Sequence, residues 1–316
     1  MRISILGVGS VGGVLLGSLS DTDSEIVCVS RGVTARSLEA GLTLHTPEGT
    51  VEMIPGERYV VFDSESGPLP SHLLGSCEVA IIAGKADSTD TLSSVAEDLL
   101  APKGVAMSIQ NGLGHAEILS TRMGPDRVIG GSTTHSAWRD GDGAVHWTGR
   151  GSIGLGRIDG AEPGPVSSEL VKTLGEAGLN PKWSSDIASV IWRKLLINVA
   201  INPVCAIAGV RNGALAEVPE LWSQSLEAMR EAEAVAHASG VDLGDVDTES
   251  YLRKVVEYTA ENRVSMLQDL MAGRKTEVEV LCGAVVSKGQ DLGIPTPRNE
   301  MLLALVKGIE MSQQFD

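Results

Sequence analysis

A chain of 316 residues is too long for one small domain and comfortable for two. With 25 basic against 41 acidic residues its net charge is −16, which disfavours non-specific attraction to nucleic acid or an anionic membrane, so an anionic ligand needs a local cluster of donors. Two Phe and three Tyr are too few for the stacking platforms of a single-strand binder, and the four scattered cysteines (28, 77, 205 and 282) offer neither metal-ligand spacing nor a disulfide framework.

The N-terminus turns polar too soon for a signal peptide. No uninterrupted apolar run approaches the length of a membrane span, so the sequence reads as a soluble cytoplasmic protein. From there the chain alternates short β-rich runs with helical stretches. Strands are predicted over residues 2–6, 25–29, 78–83, 105–108 and 128–131, and helices over 11–19, 34–40, 88–100 and 116–122. This alternation predicts a parallel sheet with helices on both faces. Residues 132–156 are extended and punctuated by glycine, which predicts hairpins added to the sheet edge. A helix over 169–178 and an extended piece over 181–183 complete an α/β domain spanning residues 1–184. The strand signal then fades, and helices are predicted over 187–208, 221–239, 248–260, 276–292 and 299–311. These form an all-helical domain over 185–316, with Asp186 as a helix N-cap and Gly240, Gly293 and Pro295 at helix ends.

Gly7-x-Gly9-x-x-Gly12 follows the first predicted strand at once and opens a helix. In a dinucleotide-binding turn of this kind the first glycine permits the tight turn. The second lets backbone approach a pyrophosphate, and the third allows helix to pack on strand. Gly7, Val8, Gly9, Ser10, Val11 and Gly12 are therefore candidate cofactor contacts, with the anion at the helix N-terminus. The second predicted strand ends in Val29-Ser30-Arg31, where NAD-binding folds usually carry an acid. Arg31 can pair with a 2′-phosphate through its guanidinium fork, which favours NADPH over NADH; a plain surface charge is the other reading. Lys85 and Asn111 lie beyond the carboxyl ends of two later strands, where ligands of such sheets bind. Each has an ordinary alternative, a solvated loop lysine and an Asn-Gly turn respectively.

The run from Trp192 to Pro203 is the most unusual stretch of the chain. Lys194, Asn198 and Asn202 recur every fourth position among Leu195, Leu196, Val199 and Ile201. A step of four drifts only about 40° around a helix, so the three polar groups share one stripe. Asparagine is a poor helix former and solvated faces prefer Glu, Lys and Arg, so the stripe predicts a cavity-lining helix. Glu277 reads either as a first-turn acid or as a carboxylate orienting Lys194 or a ligand. His135 reads as a hydrogen-bonded structural histidine.

Taken together, these residues resemble the ketopantoate reductase family over nearly the whole chain. The likeness rests on the Gly7–Gly12 turn, Ser30-Arg31, Lys85, Gln110-Asn111-Gly112, Thr133-Thr134-His135, the Lys194-x3-Asn198-x3-Asn202-Pro203 helix, Asn212-Gly213, and the spacing from Ser265 to Glu277. The resemblance implies a Rossmann-type doubly wound α/β sheet followed by an all-α domain of the 6-phosphogluconate dehydrogenase C-terminal-like kind. It implies NADPH-dependent reduction of 2-dehydropantoate (ketopantoate) to pantoate, in pantothenate and coenzyme A biosynthesis. Lys194 matches the proton donor to the keto oxygen. Asn111, Lys194, Asn198, Asn202, Asn212, Asn262, Arg263, Val264 and Ser265 match substrate-binding positions. Lys85, Asn111, Ala137 and Glu277 match cofactor-contacting ones. A small 2-oxo acid is the implied partner, and the resemblance admits a homodimer through helical-domain surfaces. Cys205 and Ser132 depart from the family pattern, each standing where threonine is common. The competing readings are a family reductase for a different 2-oxo acid and a non-catalytic NADPH-sensing protein.

Overall fold

The computed structural model describes residues 1–245 and 247–312. The chain forms two compact units. One comprises residues 1–110 and 115–187, the other residues 111–114 and 188–316.

The first unit is built on an eight-stranded sheet. Its strands are β1 (Arg2–Leu6), β2 (Glu25–Ser30), β5 (Val60–Asp63), β6 (Cys77–Ile82), β7 (Leu100–Ser108), β8 (Val128–Thr133), β11 (Ile153–Arg157) and β12 (Pro181–Trp183), in the order β12-β11-β8-β7-β6-β1-β2-β5. All neighbours are parallel except β8 and β11. The six strands from β5 to β8 follow the 3-2-1-4-5-6 order of a dinucleotide-binding sheet, with β5 as the third. Their side chains are buried on both faces, as a helix-covered parallel sheet requires: Ile3, Ile5, Leu6, Val27, Val29, Ile81 and Ile82 are all inaccessible to solvent. The covering helices are α1 (Ser10–Ser20), α2 (Gly32–Ala40), α3 (Thr89–Leu99), α4 (His115–Met123) and α5 (Pro165–Glu176).

The predicted hairpins divide between two sheets. β11 does extend the main sheet, and the extended piece expected over 181–183 pairs with it in parallel as β12. However, β9 (Ser136–Arg139) and β10 (Val145–Gly149) join β3 (Leu42–His45) and β4 (Val51–Ile54) in a separate four-stranded sheet, ordered β4-β3-β10-β9. That small sheet lies over α1, and small residues make room for it. A Cβ on Gly13 would sit 2.5 Å from a Val145 methyl, and one on Gly17 equally close to Leu44. From Gly12 to Ser20 the helix is buried all round, which explains why it lacks an amphipathic pattern.

The second unit contains α6 (Ile187–Ala208), α7 (Ala214–Glu217), α8 (Pro219–Ala238), α9 (Thr248–Tyr258), α10 (Ser265–Met271), α11 (Ala284–Leu292) and α12 (Pro297–Ser312). Trp192, Leu195, Leu196 and Val199 of α6 meet Met229, Ala232 and Val235 of α8 and Leu281 in one apolar core. Contrary to the expectation from sequence, α6 is long and apolar enough to cross a membrane by length and composition alone. Burial of its apolar residues in this core accounts for that composition. The expected helix over 276–292 is also corrected. Residues Glu279–Gly283 form a widened, π-helical turn, marked by Gly283 N–H donating to the Val278 carbonyl at 3.0 Å, and regular helix begins only at Ala284.

His135 closes the β8–β9 corner of the first unit as the sequence suggested. Its Nδ1 accepts from Gly151 N–H at 3.0 Å, so its Nε2 carries the proton and donates to the Leu179 carbonyl at 3.1 Å. Burial holds its pKa below the ordinary value, opposed by the Leu179 bond. A depressed histidine pKa means that the unfolded chain binds the proton more readily. The neutral ring's contribution is thus present above about pH 6.5 and is lost as pH falls below it. Thermal denaturation from pH 7.5 down to 5 is expected to show a declining Tm. His135→Gln, which keeps a donor and an acceptor but cannot titrate, is expected to flatten that decline; an unchanged slope would refute the assignment.

Candidate active site

In the first unit, the Gly7–Gly12 turn joins β1 to α1 and is set by backbone contact. Gly7 has φ +91°, and a Cβ there would fall 2.4 Å from the Gly84 backbone. A Cβ on Gly12 would fall 2.3 Å from the Gly7 carbonyl oxygen. Gly9 by contrast faces open space, and no side chain caps the helix it precedes. The turn therefore presents unfilled room and free helix N–H groups together, the arrangement a pyrophosphate needs.

Neighbours of the other predicted cofactor residues hold this turn. Ser30 Oγ accepts from Val8 N–H at 3.3 Å, which places Arg31 next to it. Arg31 is exposed and has no ion-pair partner among the described residues. Gly84, against Gly7, directly precedes the exposed Lys85. Arg139 of β9 donates to the Val8 carbonyl at 3.0 Å, two residues beyond the half-buried Ala137. Arg139 was not foreseen from sequence, because nothing in a lone arginine on a short strand signals a contact 131 residues away. Gln110, in the sequence only one member of the Gln110-Asn111-Gly112 motif, is the buried clamp of this region. Its Nε2 donates to Thr89 Oγ1 at 2.9 Å and to the Gly84 carbonyl at 3.0 Å, while its Oε1 accepts from Ser108 Oγ at 3.1 Å.

The second unit carries a separate cluster. Lys194 Nζ donates to Asn111 Oδ1 at 2.7 Å, and Asn111 Nδ2 donates to Glu277 Oε2 at 3.0 Å. Asn111 thus faces a cation with its carbonyl and a carboxylate with its amide, which fixes its orientation. The Lys194 side chain is half-buried. Desolvation lowers its pKa to about 8, against the opposing pull of the Glu277 carboxylate. Glu277 lies in a bend ahead of the π-helical turn rather than in a first helical turn.

Asn198 and Asn202 continue the stripe from Lys194, half-buried beside fully buried Leu195, Val199 and Ile201. Neither amide has a hydrogen-bond partner among the described residues. Two loops of this unit are stitched together through Asn212 N–H to the Asn262 carbonyl at 3.1 Å, Asn212 Nδ2 to Thr259 Oγ1 at 2.9 Å, and an Arg211–Glu261 ion pair. Asn212 is buried and its Oδ1 has no partner among the described residues. Asn262, Arg263 and Ser265 are exposed around the start of α10, and Val264 is buried beneath them. Cys205, at the threonine-like position, places its Sγ 4.0 Å from the Arg211 carbonyl, just before Asn212.

A lysine ammonium shares one helix stripe with two amides that have no partner among the described residues, and the same chain carries a dinucleotide-type glycine turn; a cation so placed can stabilise a developing oxyanion and supply a proton. The profile described as ketopantoate reductase PanE/ApbA matches residues 3–160, and that of its C-terminal region matches residues 186–310. The chain belongs to the ketopantoate reductase family. A 2-dehydropantoate 2-reductase from Archaeoglobus fulgidus is 34% identical, with 98% of each chain covered. The crystal structure of a PanE/ApbA family ketopantoate reductase from Ralstonia eutropha JMP134 superposes with a TM-score of 0.88 at 28% identity, covering 99% of this chain and 100% of that one. A D-mandelate dehydrogenase solved with NADH and anilino(oxo)acetate has the same TM-score of 0.88 at 23% identity, over 99% and 100% of the two chains, a likeness of fold. As a member of the ketopantoate reductase family the chain is an oxidoreductase with a Rossmann-type domain and a helical C-terminal region, and a small 2-oxo acid substrate fits it.

The Lys194 amine is expected to titrate near pH 8, and Glu277→Gln to move that titration lower, because it removes the one carboxylate holding the charge on. NMR of the labelled lysine across pH 6–11 reads both values; an ordinary value above 10 would contradict the desolvated setting.

Proposed function

We propose that this chain reduces 2-dehydropantoate to pantoate with NADPH, as a cytoplasmic enzyme of pantothenate and coenzyme A biosynthesis. The observation that carries the reading is the Lys194–Asn111–Glu277 array, its lysine on one helix stripe with Asn198 and Asn202, whose amides have no hydrogen-bond partner among the described residues, together with the unpartnered buried Oδ1 of Asn212. When bound, NADPH supplies the hydride for the 2-oxo carbon. The open space at Gly9, the uncapped start of α1 and the unpaired Arg31 suit its pyrophosphate and 2′-phosphate, with Lys85 and Ala137 as further contacts. Four buried free thiols suit a reducing compartment.

Lys194 has two roles in this reading. Its charge stabilises the oxyanion that develops on the substrate carbonyl, and it then gives that oxygen a proton. A pKa near 8 leaves it mostly protonated at neutral pH yet a better acid than an ordinary lysine. Asn111 and Glu277 hold the ammonium in place, and Ser265, Asn262 and Arg263 join the asparagines in holding the substrate. The buried Asn212 Oδ1 needs a donor, and the hydroxyl of 2-dehydropantoate is one. A 2-oxo acid without a hydroxyl leaves it unpaired at a cost of about 1–3 kcal/mol, or roughly fivefold to 150-fold in kcat/KM.

A spectrophotometric assay of NADPH oxidation tests this directly. 2-Dehydropantoate is expected to exceed 2-oxoisovalerate in kcat/KM by at least about fivefold; equal values would remove the pantothenate assignment and favour a reductase for another 2-oxo acid. Lys194→Ala is expected to lower kcat by about 10²- to 10⁴-fold while NADPH binding survives, and turnover near that of the natural chain would exclude its acid role. Arg31→Ala should weaken NADPH by about tenfold or more, measured as Kd, and leave NADH little changed. Equal losses for both would exclude recognition of the 2′-phosphate.

A further inference from the structure

The Asn111 side chain lies between two groups of opposite charge, but its own position is set by backbone contacts the reaction does not need. Gly112 has φ +94°, and a Cβ there would lie 2.3 Å from the Val280 carbonyl oxygen and 2.8 Å from the Val280 side chain. The next residue, Leu113, donates its N–H to that same Val280 carbonyl at 3.2 Å. Val280 sits in the widened turn Glu279–Gly283, directly after Glu277 and Val278. The outer side of this turn is anchored by the ion pair of Glu279 with Lys307 of α12. The same short turn therefore follows Glu277, receives the backbone of 112–113, and so determines where Asn111 stands. Single π-helical turns inside helices recur at functional sites, where they reposition groups that a regular helix would carry elsewhere.

We propose that Gly112, Leu113 and the π-helical turn at Val280 form a positioning clasp that holds Asn111 between Lys194 and Glu277 during ketone reduction. The clasp touches no substrate. It acts through Asn111, whose carbonyl aims the Lys194 ammonium and whose amide is tied to Glu277. Glycine is required at 112 for both the backbone angle and the close approach to Val280. Gly114 supplies an internal comparison: its φ is +93°, nearly the same, but a Cβ there meets nothing within 4 Å. Alanine at 114 adds only backbone strain, whereas alanine at 112 adds strain and pushes the loop off Val280.

The inference rests on the reductase reading, and the test separates the two. Gly112→Ala is expected to reduce kcat about a hundredfold while the NADPH Kd, read by fluorescence quenching, stays within about twofold. Gly114→Ala is expected to keep kcat within about threefold of the natural chain. Because Gly112 works through Asn111, the double variant Asn111→Ala/Gly112→Ala is expected to be no slower than Asn111→Ala alone. Losses that multiply in the double variant, or equal losses from Gly112→Ala and Gly114→Ala, overturn the clasp. The natural chain offers a check that needs no variant to fold: the Leu113 amide is expected to exchange with solvent at least about tenfold more slowly than that of Gly114. Exchange of Leu113 at the rate of an open loop also overturns the proposal. A natural chain that turns over no 2-oxo acid counts against the reductase reading, while Leu113 exchange still decides the clasp.

Discussion

A desolvated ammonium group needs an oxygen to donate to, and among the described residues of the helical unit the oxygen bonded to Lys194 comes from no helix. The oxygen is Asn111 Oδ1, delivered by a segment 83 residues earlier in the chain. The charge on Lys194 is favoured by the nearby Glu277 carboxylate, which accepts from the amide of the same Asn111. Much of the unit's local geometry follows from this need. The turn after β7 leaves its own sheet, Gly112 gives up a side chain, and the helix after Glu277 is widened where the turn rests on it.

The first unit meets a comparable demand with backbone alone. To leave space beside Gly9 for a phosphate, the turn around it is closed by Gly7 against Gly84 and by Gly12 against Gly7. Side chains that hold the turn, those of Ser30 and Arg139, bond to Val8, where they do not fill that space. Rigidity is thus obtained around the opening rather than across it. Gln110 extends this by tying the end of β7 to the Gly84 loop through one amide, a buried polar group with its donors and acceptor all engaged.

What was legible in the sequence is what regular periodicity or fixed spacing encodes. The stripe of Lys194, Asn198 and Asn202 is a helical repeat, and the glycine turn stands in a strand–turn–helix context, so both read directly from spacing. The small sheet was not legible. β3 and β4 are four residues each, too short for alternation to stand out, and β3 pairs with β10 about 100 residues away, a link no local pattern encodes. The hairpins were consequently assigned to the edge of the main sheet. The π-helical turn was hidden for a different reason. Val278, Val280 and Leu281 look like an ordinary apolar helix face, and only the tertiary contact with Leu113 distinguishes them. Asn-Gly at 111–112 has the composition of a common turn, so its role is visible only once Val280 is opposite it.

That four residues from between β7 and α4 belong to the helical unit has a consequence for how such chains can diversify. A gene segment beginning at Ala188 would encode every helix of the second unit but not the partner of its lysine. Grafted after another dinucleotide-binding unit, it would need that unit to end its corresponding strand with an amide and a glycine in the same register. The shortest segment that carries the lysine together with its oxygen partner therefore begins at Asn111, well upstream of the place where the helices of the second unit begin.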